Sequence, residues 1–297
     1  MAWASGGSGT VLLTLDGGKS WKSRGFAGTE ELDFRDVEGF DWKTAVLMSA
    51  GPGAKSRIYR TEDGGANWKL SYQNTDTDGF FDSMAFWDRK RGILVGDPVG
   101  GRFTVLTTAD GGKSWTRVPA AGLPPANEGE GAFAASGTAI AVYKGGLAWF
   151  ATGGEKGARV FRSKDWGRTW EVAQTPVRHD GASAGIFSVA FADARHGFVA
   201  GGDYRKTGEA RDTLAVTSDG GKTWTAVAGL GGFRSAVALV GKKDMWVATG
   251  PDGTDVSYDG GRSWTPIPGA GFHSISGRFA SGFDGRIAIL KLRNERN

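Results

Sequence analysis

Six times this chain spells nearly the same eight residues. The phrase runs Thr14 to Trp21, Thr61 to Trp68, Thr108 to Trp115, Ser163 to Trp170, Thr217 to Trp224 and Ser257 to Trp264. Its pattern, called the box below, is Ser/Thr-x-Asp-Gly-Gly-x-Ser/Thr-Trp, with Asn67 and Trp166 as departures. Its aspartates Asp16, Asp63, Asp110, Asp165, Asp219 and Asp259 lie 40 to 55 residues apart. A repeat of that period, spread end to end, means one supersecondary unit copied around a ring or along a solenoid.

Each residue of the box has a structural use. Asp-Gly-Gly between two strand-like runs is a hairpin signal, because glycine takes positive φ without steric cost. The aspartate accepts hydrogen bonds from its own turn, and the flanking hydroxyls bond the same turn. The tryptophan brings a large apolar face to the next strand. The six aspartates are therefore turn staples rather than catalysts.

The text between boxes repeats as well. Phe81 to Phe86 with Gly92 to Gly96, Phe187 to Phe191 with Gly197 to Gly201, and Phe233 to Val240 with Met245 to Ala248 are copies of one strand pair. Four short strands per unit is the propeller blade, and nothing reads as a long amphipathic helix. Complete blades are expected at 31–72, 79–118, 130–174, 184–228 and 232–268. Trp3 to Trp21 reads as strands two to four of a blade, and Phe272 to Leu292 as strands one to three. That makes about twenty-six strands by the blade template. The expectation is an all-β, seven-bladed propeller, a single domain over 1–297 with its first and last blades incomplete. An upstream segment would hold the last strand of blade 7 and the first of blade 1. A six-bladed ring with overlapping ends is the alternative.

Composition narrows the function classes. The chain has 297 residues, a formal charge of +4 and no cysteine. Disulfides, thiol nucleophiles and Cys-bound metal are excluded. The basic residues form no run, so nucleic acid is not an expected partner. No apolar run is long enough to span a membrane. Ala2 to Gly6 reads as strand rather than signal peptide. The histidines His179, His196 and His273 lack metal-like spacing, and no Gly-Lys-Ser/Thr phosphate motif is present. Asn74 to Gly79 looks like the start of a calcium loop, but Ala85 stands where its final glutamate belongs. No metal or cofactor is expected.

The box resembles the Asp-box, or BNR repeat, of sialidases, sortilin-type receptors, some endoglucanases and the photosystem II assembly-factor family. There it marks the outer hairpin of a propeller blade, on the face opposite the loops that join strand two to three and blade to blade. The likeness covers nearly the whole chain and is specific for fold rather than function. Binding residues belong on loops held by a rigid scaffold, so the loop face is where function is expected. It carries Asp97, Arg102, Glu130, Asp203, Tyr204, Arg205 and Arg211. The residue after each leading phenylalanine (Arg35, Asp82, Ser188, Arg234 or His273) is expected to ring the channel mouth.

Two functions follow from the resemblance. A sialidase-like glycoside hydrolase would need two carboxylates, for which Asp97 and Glu130 are the pair, with Tyr204 as the nearest candidate nucleophile. The sialidase Arg-Ile-Pro string is absent; Arg57-Ile58-Tyr59 is the nearest text. The phrase Gly197 to Gly201 before a Thr-x-Asp-Gly-Gly-Lys-Thr-Trp box is closer to the photosystem II assembly and stability factors. Membership there implies a non-enzymatic scaffold binding a protein or peptide through a basic patch, which Arg102, Arg205, Arg211 and Arg234 would supply. It also implies a periplasmic or secreted location, with the cytoplasm as alternative. A monomer is expected, with carbohydrate as the alternative ligand.

Overall fold

The computed structural model describes residues 1–241, 244–269 and 271–291. Their strands form seven antiparallel sheets, the blades of a propeller. Blade 1 has three strands, Ala2–Ser5, Val11–Thr14 and Lys22–Ser23. Blade 2 has four: Asp33–Gly39, Ala45–Ala50, Arg57–Thr61 and Lys69–Gln73. Blades 3 to 6 repeat that order over 81–117, 140–174, 184–226 and 236–267. Blade 7 has Ser274–Ser276, Phe279–Ser281 and Ile287–Ile289. The expected blade boundaries stand to within a few residues except in blade 4, whose first strand is only Ile140–Tyr143. The expected C-terminal end at Leu292 lies outside the described residues. No described helix is long and apolar enough to cross a membrane.

The boxes are one motif in space. In each, the leading hydroxyl donates to the aspartate Oδ1 at 2.8–2.9 Å and accepts from the second glycine amide at 2.8–3.0 Å. Oδ1 also takes the amide of the seventh residue, and Oδ2 that residue's side chain, at 2.6–3.0 Å. A carboxylate fed by three donors holds its proton weakly. Asp63 and Asp219 are lowered to about 2.

The second glycine of each box has a further role. A Cβ on Gly261 would lie 2.1 Å from Phe198 of the preceding blade. On Gly112 it would meet Val46 at 2.7 Å, and on Gly167 it would meet Ile93 at 2.6 Å. On Gly18 it would meet Phe279 of blade 7 at 2.8 Å, and Trp21 packs edge-on against that same ring. Five of the six box hairpins thus wedge against the second strand of the blade before them, that of blade 2 meets Arg24 of blade 1 instead, and blade 1 closes the ring on blade 7. Between blades lie apolar clusters, such as Phe103, Phe150, Phe161 and Trp170 between blades 3 and 4.

Candidate functional site

The loops from second to third strand and from blade to blade share the face away from the boxes. Contacts there join one loop set to the other. Gly53 N donates to Gly79 O, Ala126 N to Gly101 O, and Tyr204 N to Ser183 O. Asp76, from the calcium-like string, pairs with Arg117, while Asn74 Nδ2 donates to Asp76 O at 3.1 Å. Its polar groups thereby close a linker turn.

Bulges in the first strands decide which side chains reach the channel mouth, since the extra residue of a bulge is re-aimed. In blade 2 the extra residue is Arg35 and in blade 3 it is Asp82. In blade 5 it is Phe187, one residue before the expected Ser188. Ser188 turns into the ring of first strands, where its Oγ accepts Val237 N at 2.9 Å.

Blade 6 is offset too. Gly96, Gly201 and Gly250 fix the comparison, because a Cβ there would strike the carbonyls of Phe80, Gly185 and Phe233 at 2.3, 1.9 and 2.4 Å. Arg234 therefore occupies the buried position of Phe81 and Ile186. It is 4% exposed and sits inside the blade with its Nε 2.7 Å from Asp255 Oδ2. The expectation that Arg234 joins a basic patch at the mouth is corrected by this offset.

Glu130 is likewise internal, at 6% exposed. Its Oε1 accepts Arg159 Nε at 2.8 Å and Thr152 Oγ1 at 2.5 Å, and its Oε2 accepts Asn127 N at 2.7 Å. With both oxygens engaged, Glu130 locks a linker to its blade and is not free to serve a water or a sugar. Asp203, also buried, accepts the Arg205 amide at 2.9 Å and so shapes the loop that presents Tyr204.

The other expected residues, Asp82 apart, line the face. Arg35 donates to Asp33 Oδ2 at 2.6 Å and to Ala134 O at 2.7 Å, tying blade 2 to blade 4 across the mouth. Asp82 is buried with Oδ2 unpartnered. Burial, then the neighbouring Asp97 charge, pushes its proton affinity well up, against the pull of Arg35. Asp97 itself is raised to about 6 by burial, although its Oδ1 accepts Ala132 N at 3.0 Å. Arg102 donates to Leu123 O, and Arg211 is open to solvent beside Asp212. His273 packs edge-on against Phe283 with centroids 4.0 Å apart. Burial, Arg35 and Arg286 lower its pKa, so it is neutral at pH 7.

An aromatic cluster underlies this face beside blades 4 to 6, with Phe187 and Phe233 buried and Phe133 partly so. Phe133 stacks on Phe187 at 3.9 Å, and Phe187 meets Phe233 edge-on at 4.7 Å and Tyr204 at 6.1 Å. Tyr204 is 46% exposed, and the Arg205 guanidinium lies 5.7 Å from its ring centroid. Phe133 escaped the sequence reading because the insertion Ala134-Ala135-Ser136-Gly137 separates it from its strand. Its signal was the Gly-Ala-Phe text at the place where other blades carry their leading phenylalanine.

The channel holds a cleft of about 730 Å³ bounded by blades 1, 2 and 7 and by the first strands of blades 3 and 4, lined by Trp3, Ser5, Asp36, Glu38, Met84 and Ile140 among others. Enclosure by the ring raises Asp36 to about 8 and raises Glu38 as well. No group of three or more potential metal ligands occurs among the described residues.

No protein-family model and no curated protein matches the chain. Solved structures do. A structure described as YCF48 bound to D1 peptide is 16% identical, with 97% of this chain and 87% of that one covered at a TM-score of 0.59. YCF48 from Cyanidioschyzon merolae is 20% identical, covering 86% and 79% at 0.55. The Niastella koreensis GH74 enzyme is 14% identical at 0.52, and the match covers 90% of this chain but 47% of that one. At these identities the likeness is one of fold.

Proposed function

We propose that the protein is a non-enzymatic propeller that binds a protein or peptide segment on its loop face; a similar solved structure is described as bound to a peptide. The observation that carries this reading is half-exposed Tyr204, flanked by Arg205 and held from behind by buried Phe187, with partly buried Phe133 stacked on the same ring. Rigid aromatics with an adjacent guanidinium are the anchor chemistry of binding surfaces. The basic contribution comes from Arg35, Arg102, Arg205 and Arg211. Its partner is accordingly a segment with apolar side chains and an acidic group or free carboxylate.

The glycoside hydrolase alternative loses its carboxylate pair, since Glu130 is held by Arg159 and Thr152. The test is selection from a displayed peptide library, followed by titration of the enriched peptide. The double variant Tyr204→Ala with Arg205→Glu is expected to weaken binding at least tenfold with an unchanged melting temperature. Equal affinity for the double variant would overturn the loop-face reading. Turnover of aryl glycosides, lost in Asp97→Asn, would restore the enzymatic one.

A further inference from the structure

The gaps between neighbouring box hairpins repeat one construction, and two of them match residue by residue. Between blades 2 and 3 the second box glycine, Gly112, packs on Val46, whose cross-strand partner is Arg60. Between blades 4 and 5 the same glycine, Gly221, packs on Trp149, whose cross-strand partner is Arg162. The first box glycines match as well: a Cβ on Gly111 would lie 2.7 Å from Arg89 O, and one on Gly220 would lie 2.9 Å from Ala194 O. Lys113 and Lys222 are therefore equivalent, and so are Glu62 and Lys164.

The two gaps satisfy their cations differently. Glu62 Oε1 lies 2.9 Å from Arg60 Nη1 and 3.3 Å from Lys113 Nζ, so one carboxylate stands between both cations and ties blade 2 to blade 3. Arg60 Nε donates to Gly111 O at 2.8 Å. Between blades 4 and 5 a lysine replaces that glutamate. Gly220 O is taken by Trp149 Nε1 at 2.8 Å, and Arg162 pairs with Glu171 on the outer strand. Lys164 and Lys222 form no ion pair with a described residue. What remains is a pocket of about 130 Å³ lined by Leu147, Trp149, Arg162, Lys164, Asp219 and Lys222 among others. Asp219 does not answer the lysines, because its own turn engages both of its oxygens.

We propose that this pocket takes a carboxylate on a short stem, seated between Lys164 and Lys222 as the chain's own Glu62 is seated in the sister gap. Charge-assisted hydrogen bonds from the ammonium groups hold the carboxylate, and Leu147 and Trp149 give the stem an apolar wall. The fixed charge of Asp219 in the lining favours a monoanion over phosphate. The occupant bridges blades 4 and 5, which are joined here by no side-chain ion pair among the described residues. The pocket lies on the box face, away from Tyr204, and the proposal does not depend on the loop-face reading.

The probes are butyrate, as a free acid, and a blocked alanine-glutamate-alanine tripeptide, as an acidic side chain, each compared with chloride at equal ionic strength. The Trp149 indole N–H, bonded to the pocket wall at Gly220, and the Lys222 amide are the reporters in proton–nitrogen correlation spectra. Both signals are expected to shift saturably, and the tighter probe identifies the source as a small acid or a polypeptide side chain. Lys164→Glu rebuilds the sister arrangement. It is expected to weaken the tighter probe at least about tenfold, the effect of losing a hydrogen bond to a charged group, with the melting temperature retained or raised. Glu62→Lys is expected to open a second site, reported by the Lys113 amide. Tyr204→Ala with Arg205→Glu leaves this pocket intact, which separates the proposal from the loop-face one. The proposal is overturned by the absence of a saturable shift with either carboxylate, or by a shift that chloride reproduces. It is equally overturned by binding that Lys164→Glu leaves unchanged, or by phosphate binding more tightly than both carboxylates.

Discussion

The Arg234 guanidinium and the Asp255 carboxylate face each other inside blade 6, with Nε and Nη2 each 2.7 Å from Oδ2 and side chains 4% and 1% exposed. Oδ2 also takes the Gly231 amide, while Oδ1 has no partner. Such a pair costs desolvation to form, and removing one member strands the other. Arg234→Met is expected to destabilise the protein by about 3–5 kcal/mol, because it leaves a buried unpaired carboxylate. Arg234→Met with Asp255→Leu is expected to recover most of that loss. Urea unfolding of the single and double variants measures both. A double variant as unstable as the single would show that the pair contributes more than mutual neutralisation.

Acid should reveal the boxes. Asp165 accepts from Ser163, Thr169 and the Arg168 amide, and hydrogen bonding outweighs desolvation to lower its pKa. A lowered folded pKa gives stability that is present above the unfolded value near 4 and is lost as pH falls toward the folded one. Asp63, Asp110 and Asp219 shift the same way. The melting temperature is therefore expected to fall steeply below pH 4. Asp165→Ala should cost about 0.5–2 kcal/mol at pH 7, on the scale of a lost helix cap, and less at pH 2. A cost independent of pH would show that the hydrogen bonds to the ionised carboxylate are not its source.

Two glycine substitutions separate crowding from backbone conformation. A Cβ at Gly201 would lie 1.9 Å from the Gly185 carbonyl oxygen, so Gly201→Ala must push the first and second strands of blade 5 apart. Gly100 has nothing within 4 Å of a Cβ but stands at φ +62°. Gly100→Ala is expected to cost about 1–2 kcal/mol in backbone strain, and Gly201→Ala at least about 3 kcal/mol in disrupted packing. Thermal melts of the two variants order them, and a smaller effect at Gly201 would contradict the close approach.

The ring was legible because its signals are local. Asp-Gly-Gly before tryptophan specifies a hairpin whatever surrounds it, and six copies specify the period. That reading explained the glycines by φ alone. The approach of Gly261 to Phe198, or of Gly18 to Phe279, depends on a neighbouring blade and has no local trace. The mouth was less legible for the same reason. Leading phenylalanines looked equivalent in text, yet in blade 5 the bulge falls on Phe187 itself rather than on Ser188, and in blade 6 Arg234 takes the buried position next to the residue that meets Gly250. A one-residue slip reverses which face a strand residue serves. Glu130 looked like a free acid because Arg159, its partner, lies 29 residues away.

Asp36 provides a test of the channel as an enclosed space. Its carboxyl is open only to the cleft and stands at about 8 in the fold, against 3.8 ordinarily, because enclosure disfavours the charged form and Glu38 adds to it. The groups facing it are the Met84 amide, the Ser83 hydroxyl and Glu38, with Arg35 and His273 further along the cleft. Below pH 3.8 the group is protonated in both folded and unfolded chains and exerts no effect. Between 3.8 and 8 the unfolded chain ionises while the fold keeps its proton, so stability declines as pH rises through that window and levels off above 8. Asp36→Asn keeps an oxygen for the Met84 amide and removes the proton equilibrium. It is expected to match the wild type near pH 3.5, and to exceed it by ~1–3 kcal/mol at pH 8, the upper range being discounted because the cleft admits water. Urea unfolding of both proteins at pH 3.5, 5, 6.5 and 8 gives the difference directly. A gain that does not change with pH would mean that Asp36 is ionised in the fold and already compensated by a cation.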